Sequence, residues 1–191
     1  MSDVISKVPP PRISFTGKIY LISSDLQLQE VATALIEASA FGFDTETKPT
    51  FKKGDVHKVA LVQLSTLDSA YLIRLHHITD FDLLKKIFEN KAILKVGVAI
   101  RDDLKSLQKI FKFEPKGFIE LQDVAKEKGL KNFGLKGMTE EVLEATISKG
   151  PKMSNWENPQ LTEPQLLYAA TDAWIGLSLY KKLLDRLPSA T

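Results

Sequence analysis

The stretch FGFDTET, Phe41 to Thr47, decides how this chain is read. With Ala40 ahead of it, its first half is small and apolar and reads as a buried strand over Ala40 to Thr45. Asp44 and Glu46 then fall where that strand should end. Side chains at i and i+2 of a strand share a face, so the two acids point the same way. Neighbouring carboxylates on a mainly buried strand repel, and burying them without a partner is costly. A divalent cation between them resolves both problems. The plain alternative is that Thr45, Glu46 and Thr47 are only the exposed end of the strand.

Two more acidic positions stand in similar settings. In VGVAIRDDL (96–104), Asp102 and Asp103 follow an apolar strand-like run and open a helix expected over Asp102 to Phe111. A carboxylate in a first helical turn is favoured by the helix dipole, so spacing alone does not choose between them. Leu104, Leu107, Ile110 and Phe111 mark the buried face, which Asp103 borders, leaving Asp102 as the better cap. In YAATDAWIG (168–176), Tyr168 and Asp172 lie four apart on a helix and share a face. That helix is apolar nearly all round, through Leu166, Leu167, Ala169, Ala170, Ala173, Ile175 and Leu177. A Tyr–Asp hydrogen bond or a solvated edge would also account for the pair. Ala169, Ala170 and Gly176 are small enough to let the helix lie close to a sheet, near the strand carboxylates. Hard oxygen donors, with no cysteine and no metal-spaced histidine pair, suit Mg²⁺ or Mn²⁺ rather than zinc.

The 191 residues and 43% apolar content fit one ordinary domain with a full core. The opening residues carry no signal-like apolar stretch, and no run nears the ~18 apolar residues of a membrane span, so a cytoplasmic protein off the membrane is expected. Zero cysteines exclude disulfides and thiolate zinc. A net charge of +2 does not by itself point to nucleic acid. Lysine-rich segments at 48–58, 126–136 and 149–152 read as solvated faces or as phosphate contacts flanking an acidic site.

Residues 1–16, with three successive prolines, read as a flexible lead-in, and 17–187 as a single domain. Strands are expected over Lys18–Ile22, Ala40–Thr45, Val59–Ser65, Ala70–Leu75, Ala92–Ile100 and Phe118–Leu121. The third and fourth alternate in polarity and form a hairpin. One helix, capped by Ser24 or Asp25, runs to Glu37 with Leu28, Val31, Ala32, Leu35 and Ile36 inward. Others span Asp80 to Phe88, Asp102 to Phe111, Asp123 to Lys128, Gly134 to Leu143 and Thr162 to about Leu187. The class is α/β, a mixed central sheet flanked by helices.

These three acidic motifs, in this order, resemble the DnaQ-like (DEDD) 3′→5′ exonucleases of ribonuclease H-like fold. FDTET is similar to their first motif, VGVAIRDDL to the second and YAATD to the third. A tyrosine four before the last aspartate matches the tyrosine subclass, DEDDy; the position five before it, a histidine in the other subclass, is Leu167. KPTFKKG, HKVALVQLST and SNWENPQLTEPQLLYAATDA resemble the flanks of the Werner syndrome-type exonuclease domains and their standalone bacterial and plant relatives. The likeness runs from Ile19 to Leu184. It implies catalytic roles for Asp44, Glu46, Asp103, Tyr168 and Asp172, with the four acids as metal ligands, and it selects Asp103 over Asp102. Ala99 and Arg101 depart from the pattern, which often has glycine and an acid there.

Two divalent cations, Mg²⁺ or Mn²⁺, are implied, ~3.5–4 Å apart across the scissile phosphate. Asp44, Glu46 and Asp172 would hold one; Asp44 and Asp103 the other. Tyr168, a poor base with an ordinary pKa near ~10, would orient water. The expected substrate is nucleic acid with a free 3′ end, and the product a nucleoside 5′-monophosphate. Phe51 and Trp156 are candidates for base stacking, with core packing the equally good alternative for each, and Lys52, Lys53 and Lys152 for phosphate contacts. DNA is favoured over RNA, because ribonuclease D relatives usually carry further helical domains. A helicase or repair partner is expected to be a separate chain. Alternatives are a ribonuclease D-like RNA 3′-end exonuclease and a non-catalytic nucleic-acid-binding module.

Overall fold

Residues 9–49, 57–148, 150 and 154–186 are described by the computed structural model. In chain order they form β1 (Lys18–Ile22), α1 (Asp25–Glu30), α2 (Ala32–Glu37), β2 (Ala40–Thr47), β3 (Val59–Ser65), β4 (Ser69–Arg74), a single 3₁₀ turn, α3 (Asp82–Glu89), β5 (Leu94–Gly97), α4 (Arg101–Gln108), β6 (Phe118–Glu120), α5 (Leu121–Glu127), α6 (Leu135–Leu143) and α7 (Glu163–Leu184). The strands make one mixed sheet in the order β1-β4-β3-β2-β5-β6. β3 is antiparallel to both its neighbours, and the other pairings are parallel. This is the mixed sheet with flanking helices expected of a ribonuclease H-like chain. The chain leaves β2 toward β3 and β5 toward β6, so β2 and β5 flank the point where strand order reverses. Open α/β sheets bind ligands beyond the strand ends at such a point.

Alternation along β2 divides its side chains between two layers. Phe41 and Phe43 pack with Val62, Leu64, Ile73, Leu84, Phe88 and Leu107, beneath α3 and α4. On the other face α7 crosses the sheet. Ile175 and Leu179 meet Val96, and Ala169 and Tyr168 meet Leu61 and Leu72. Thr162 starts α7 with a reciprocal capping box to Gln165, which fixes where the helix begins and hence where Tyr168 and Asp172 fall.

Several expectations are corrected. The first helix breaks at Val31 into α1 and α2, and Ile36 is exposed rather than inward. β3 is buried along its whole length, not alternately, because helices cover both faces. Its polar Gln63 and Ser65 lie inside with no exposure. The fifth strand shrinks to Leu94–Gly97 because a turn follows it, and α4 ends at Gln108. The described part of the lead-in is docked rather than flexible. Ile13 N donates to Thr146 O (2.9 Å), Thr146 N to Pro11 O (2.8 Å) and Phe15 N to Thr171 Oγ1 (3.0 Å), with Phe15 buried. Lys95 is wholly buried in β5. Its ammonium donates to the carbonyls of Ile87, Asn90 and Ile93 at 2.9, 2.9 and 2.7 Å, tying the end of α3 to the sheet.

Candidate active site

β2 runs through Thr47, so Asp44 and Glu46 are paired strand residues rather than a loose end; they sit opposite Gln63 and Leu61 of β3. Both acids are half-buried. They share the face of Gly42, where α7 lies tight against the sheet. A Cβ placed on Gly42 would fall 1.7 Å from the Ala173 carbonyl oxygen. Only glycine permits that approach, and it sets Asp172, one residue earlier on α7, beside the end of β2. The result is a cleft of about 370 Å³ whose walls include Asp44, Thr45, Glu46, Gly97, Val98, Leu135, Tyr168 and Asp172.

Tyr168 is buried and its hydroxyl is hydrogen-bonded to Asp172. Burial, then the charge of Asp172 and that hydrogen bond, then Glu46 and Asp44, push the phenol far above its ordinary pKa. It therefore stays protonated at any working pH and can donate or orient, not abstract a proton. The same influences show that the three carboxylates share one electrostatic neighbourhood with the phenol.

Asp103 arrives from the other layer. Thr45, pointing away from Asp44 and Glu46, donates from Oγ1 to Asp103 Oδ1 at 2.9 Å. Burial pushes the Asp103 carboxyl above its usual range; the Thr45 bond opposes this, and the charges of Asp102 and Glu120 add to it. Asp102 faces solvent, pairs with Lys105 at 2.9 Å and caps nothing. The expected capping role falls instead to Glu120, which accepts from Ala99 N (2.8 Å) and Ile100 N (2.9 Å). Ala99 holds φ at 60°, a left-handed backbone that glycine adopts more easily.

Three supporting residues escaped the sequence reading. Thr45 reads from sequence as a strand-end residue between two acids, though strand alternation turns it to the opposite face, toward Asp103. Glu120 has no local signal, since it acts across 21 residues on Ala99. Gln63, directly across from Asp44, is fully buried with neither polar side-chain atom partnered.

Trp156 is corrected: it has no exposed surface to offer a base. It packs in the core, stacked on Tyr168 with ring centroids 6.3 Å apart. Phe51, Lys52, Lys53 and Lys152 lie outside the described residues. Among the described residues, no three Asp, Glu, His or Cys side chains stand ready to close around a metal ion. The donor set still has the chemistry of a Mg²⁺ or Mn²⁺ site: carboxylate oxygens along one cleft, with a fourth acid tied to the same strand and no thiol. No helix among the described residues is long and apolar enough to cross a membrane.

Residues 19–188 match a family model described as 3′-5′ exonuclease. The chain is 37% identical over 183 residues to the mouse bifunctional 3′-5′ exonuclease/ATP-dependent helicase WRN, covering 91% of this chain and 13% of that protein. It is 32% identical over 197 residues to an Arabidopsis thaliana 3′-5′ exonuclease, covering 94% of this chain and 68% of that one. Among solved structures, Escherichia coli RNase D, an exoribonuclease involved in structured RNA processing, superposes with a TM-score of 0.79 at 30% identity. That match covers 87% of this chain and 44% of RNase D.

Proposed function

Because this chain belongs to the 3′-5′ exonuclease family, we propose that it hydrolyses phosphodiester bonds at free 3′ ends of nucleic acid. In this reading the products are nucleoside 5′-monophosphates, and DNA is the preferred polymer. One observation carries it: Asp44, Glu46, Tyr168 and Asp172 line a single cleft, with Asp103 bound to the strand that forms its floor.

Asp44, Glu46 and Asp172 would hold one divalent cation, Mg²⁺ or Mn²⁺, and Asp44 with Asp103 a second. Such ions supply Lewis-acid polarisation of the phosphate and a water of lowered pKa. The residues do the rest. Tyr168, kept protonated by burial and by the acids around it, gives its one proton to Asp172 and orients the attacking water by accepting a hydrogen bond from it through the phenolic oxygen. Asp172 fixes the direction of that hydroxyl. Thr45 holds Asp103 at the rim while Glu120 shapes the turn that delivers it.

The preference for DNA is supported by greater identity to the helicase-linked exonuclease (37%) than to RNase D (30%). An RNA 3′-end exonuclease is the second reading, supported by the RNase D superposition. The full set of acids and Tyr168 argues against a non-catalytic binding module. The test is digestion of 3′- and 5′-labelled DNA and RNA with Mn²⁺, beside an Asp44→Ala variant. Shortening from the 3′ end, faster on DNA and absent in a folded Asp44→Ala protein, is expected. Cleavage from the 5′ end, or an active Asp44→Ala, refutes the reading; faster RNA digestion reverses the polymer assignment.

A further inference from the structure

The catalytic tyrosine proposed above is held from outside its own helix. Tyr168 is stacked on Trp156, whose ring is fully buried although it sits in a loop without regular structure. Gly150, on the same approach to α7, presses its backbone against the Tyr168 ring, and a Cβ there would strike the ring edge. An aromatic side chain wedged in this way has little freedom about its side-chain torsions, and its hydroxyl is aimed accordingly.

What holds Trp156 is a turn knitted on itself. Asn155 Nδ2 donates to Asn158 Oδ1 (2.8 Å), and Glu157 N donates to Asn155 Oδ1 (3.1 Å). This turn is pinned to the sheet by Arg74, a guanidinium only 3% exposed at the end of β4. Arg74 donates through Nη1 to Pro159 O at 2.9 Å and through Nη2 to Asn158 O. Both carbonyls lie more than eighty residues away in the chain. A buried guanidinium is costly, and its planar fork is suited to gripping two successive carbonyls at once. Lysine is shorter and places all its donors on one nitrogen, so it does not present that two-nitrogen fork to these two carbonyls.

We infer that Arg74 and Trp156 are positioning residues for the reaction: Arg74 fixes the 155–159 turn, and Trp156 transmits that placement to the Tyr168 hydroxyl. The inference rests on the exonuclease reading and on the role given there to Tyr168. It separates two features of the third motif. α7 supplies the height of the tyrosine above the sheet; the Arg74-pinned turn sets its lateral aim.

A double-mutant cycle tests this, because residues that act through one another are not additive. Turnover and KM are measured on a 3′-labelled oligonucleotide, well below the melting temperature of each protein, for Trp156→Leu, Tyr168→Phe and the combination. Trp156→Leu is expected to lower kcat by about tenfold or more with KM within about twofold, as misaimed catalytic groups do. In the Tyr168→Phe background the same substitution should change kcat by less than about twofold, because the hydroxyl it aims is gone. Arg74→Lys should lower kcat in the same manner and add little to Trp156→Leu. Trp156→Phe, which keeps an aromatic face, should recover most of the lost turnover; if Trp156→Leu does not fold, Arg74→Lys takes its place in the cycle with Tyr168→Phe. Effects that multiply in the Tyr168→Phe background overturn the inference, as does a Trp156→Leu enzyme of wild-type kcat. A Tyr168→Phe enzyme as fast as wild type overturns it too. A wild-type protein with no 3′-end cleavage would instead sink the functional reading, so the two failures are distinct.

Discussion

Replacing Gly42 by alanine should damage this protein twice over, through one methyl group. The new Cβ would lie 1.7 Å from the Ala173 carbonyl oxygen and 2.6 Å from its carbon, where ordinary contact begins at 3.4 Å. Both obstacles are backbone of α7, so no side-chain rotation relieves them. α7 must retreat by about 1.7 Å, the shortfall between those two distances. Overpacking of this kind costs about 2–3 kcal/mol, which for a chain of this length lowers the melting temperature by roughly 4–12 °C. The same retreat carries Asp172 and Tyr168 away from Asp44 and Glu46, and a misplacement near ~1 Å costs about a hundredfold in rate. Gly176 is the control on the same helix. Its added Cβ would stand 3.2 Å from Val96 O, needing a shift of only a few tenths of an ångström. Gly176→Ala should therefore keep most activity and stability. Calorimetry and single-turnover cleavage of a 3′-labelled strand decide it. A Gly42→Ala enzyme with wild-type turnover, or a Gly176→Ala enzyme equally impaired, would refute the reasoning.

Other outcomes are open to similar tests. Ala99→Gly should raise stability by about 0.5–1 kcal/mol, since a left-handed alanine costs ~1–2 kcal/mol and glycine's flexibility returns part of it; a lower melting temperature contradicts this. Thr45→Val removes the hydrogen bond to Asp103 and should cut turnover by about 10–100-fold while Thr45→Ser keeps it; equal rates for Val and Ser remove Thr45 from the site. Burial lowers Lys95 from 10.5 to about 8, so between those values the folded chain has released a proton that the unfolded chain keeps. The unfolding free energy of wild type relative to Lys95→Met should then rise with pH through that window and be level below it, as read by urea denaturation at several pH values. EDTA should stop cleavage and added Mg²⁺ or Mn²⁺ restore it; chelator-resistant digestion argues against bound cations.

Local patterns carried the elements that local forces build. β1 ends where its apolar run ends, the β3–β4 hairpin closes on Leu67 and Asp68, and α7 starts at a cap written in Thr162 and Gln165. The acid-bearing motifs were legible for the same reason, since period two on β2 and period four on α7 each place two functional groups on one face. What could not be read depends on contacts made at long range. Trp156 reads as a candidate stacking surface until Arg74 is seen pinning its turn from across the sheet. Gln63 and Ser65 read as the outward half of an alternating strand until α7 covers them. Asp102 and Asp103 are equivalent by spacing; Asp103 is set apart by burial and by the hydroxyl of Thr45, 58 residues away, while Asp102 faces solvent beside Lys105.

Asp103 and its anchor Thr45 belong to the side of the sheet packed by α3 and α4, while Asp44, Glu46, Asp172 and Tyr168 belong to the side packed by α7. Neither half of the molecule contains the complete chemistry. On the exonuclease reading, a copy with only one face of the sheet covered would lack part of its acid set and should not cleave.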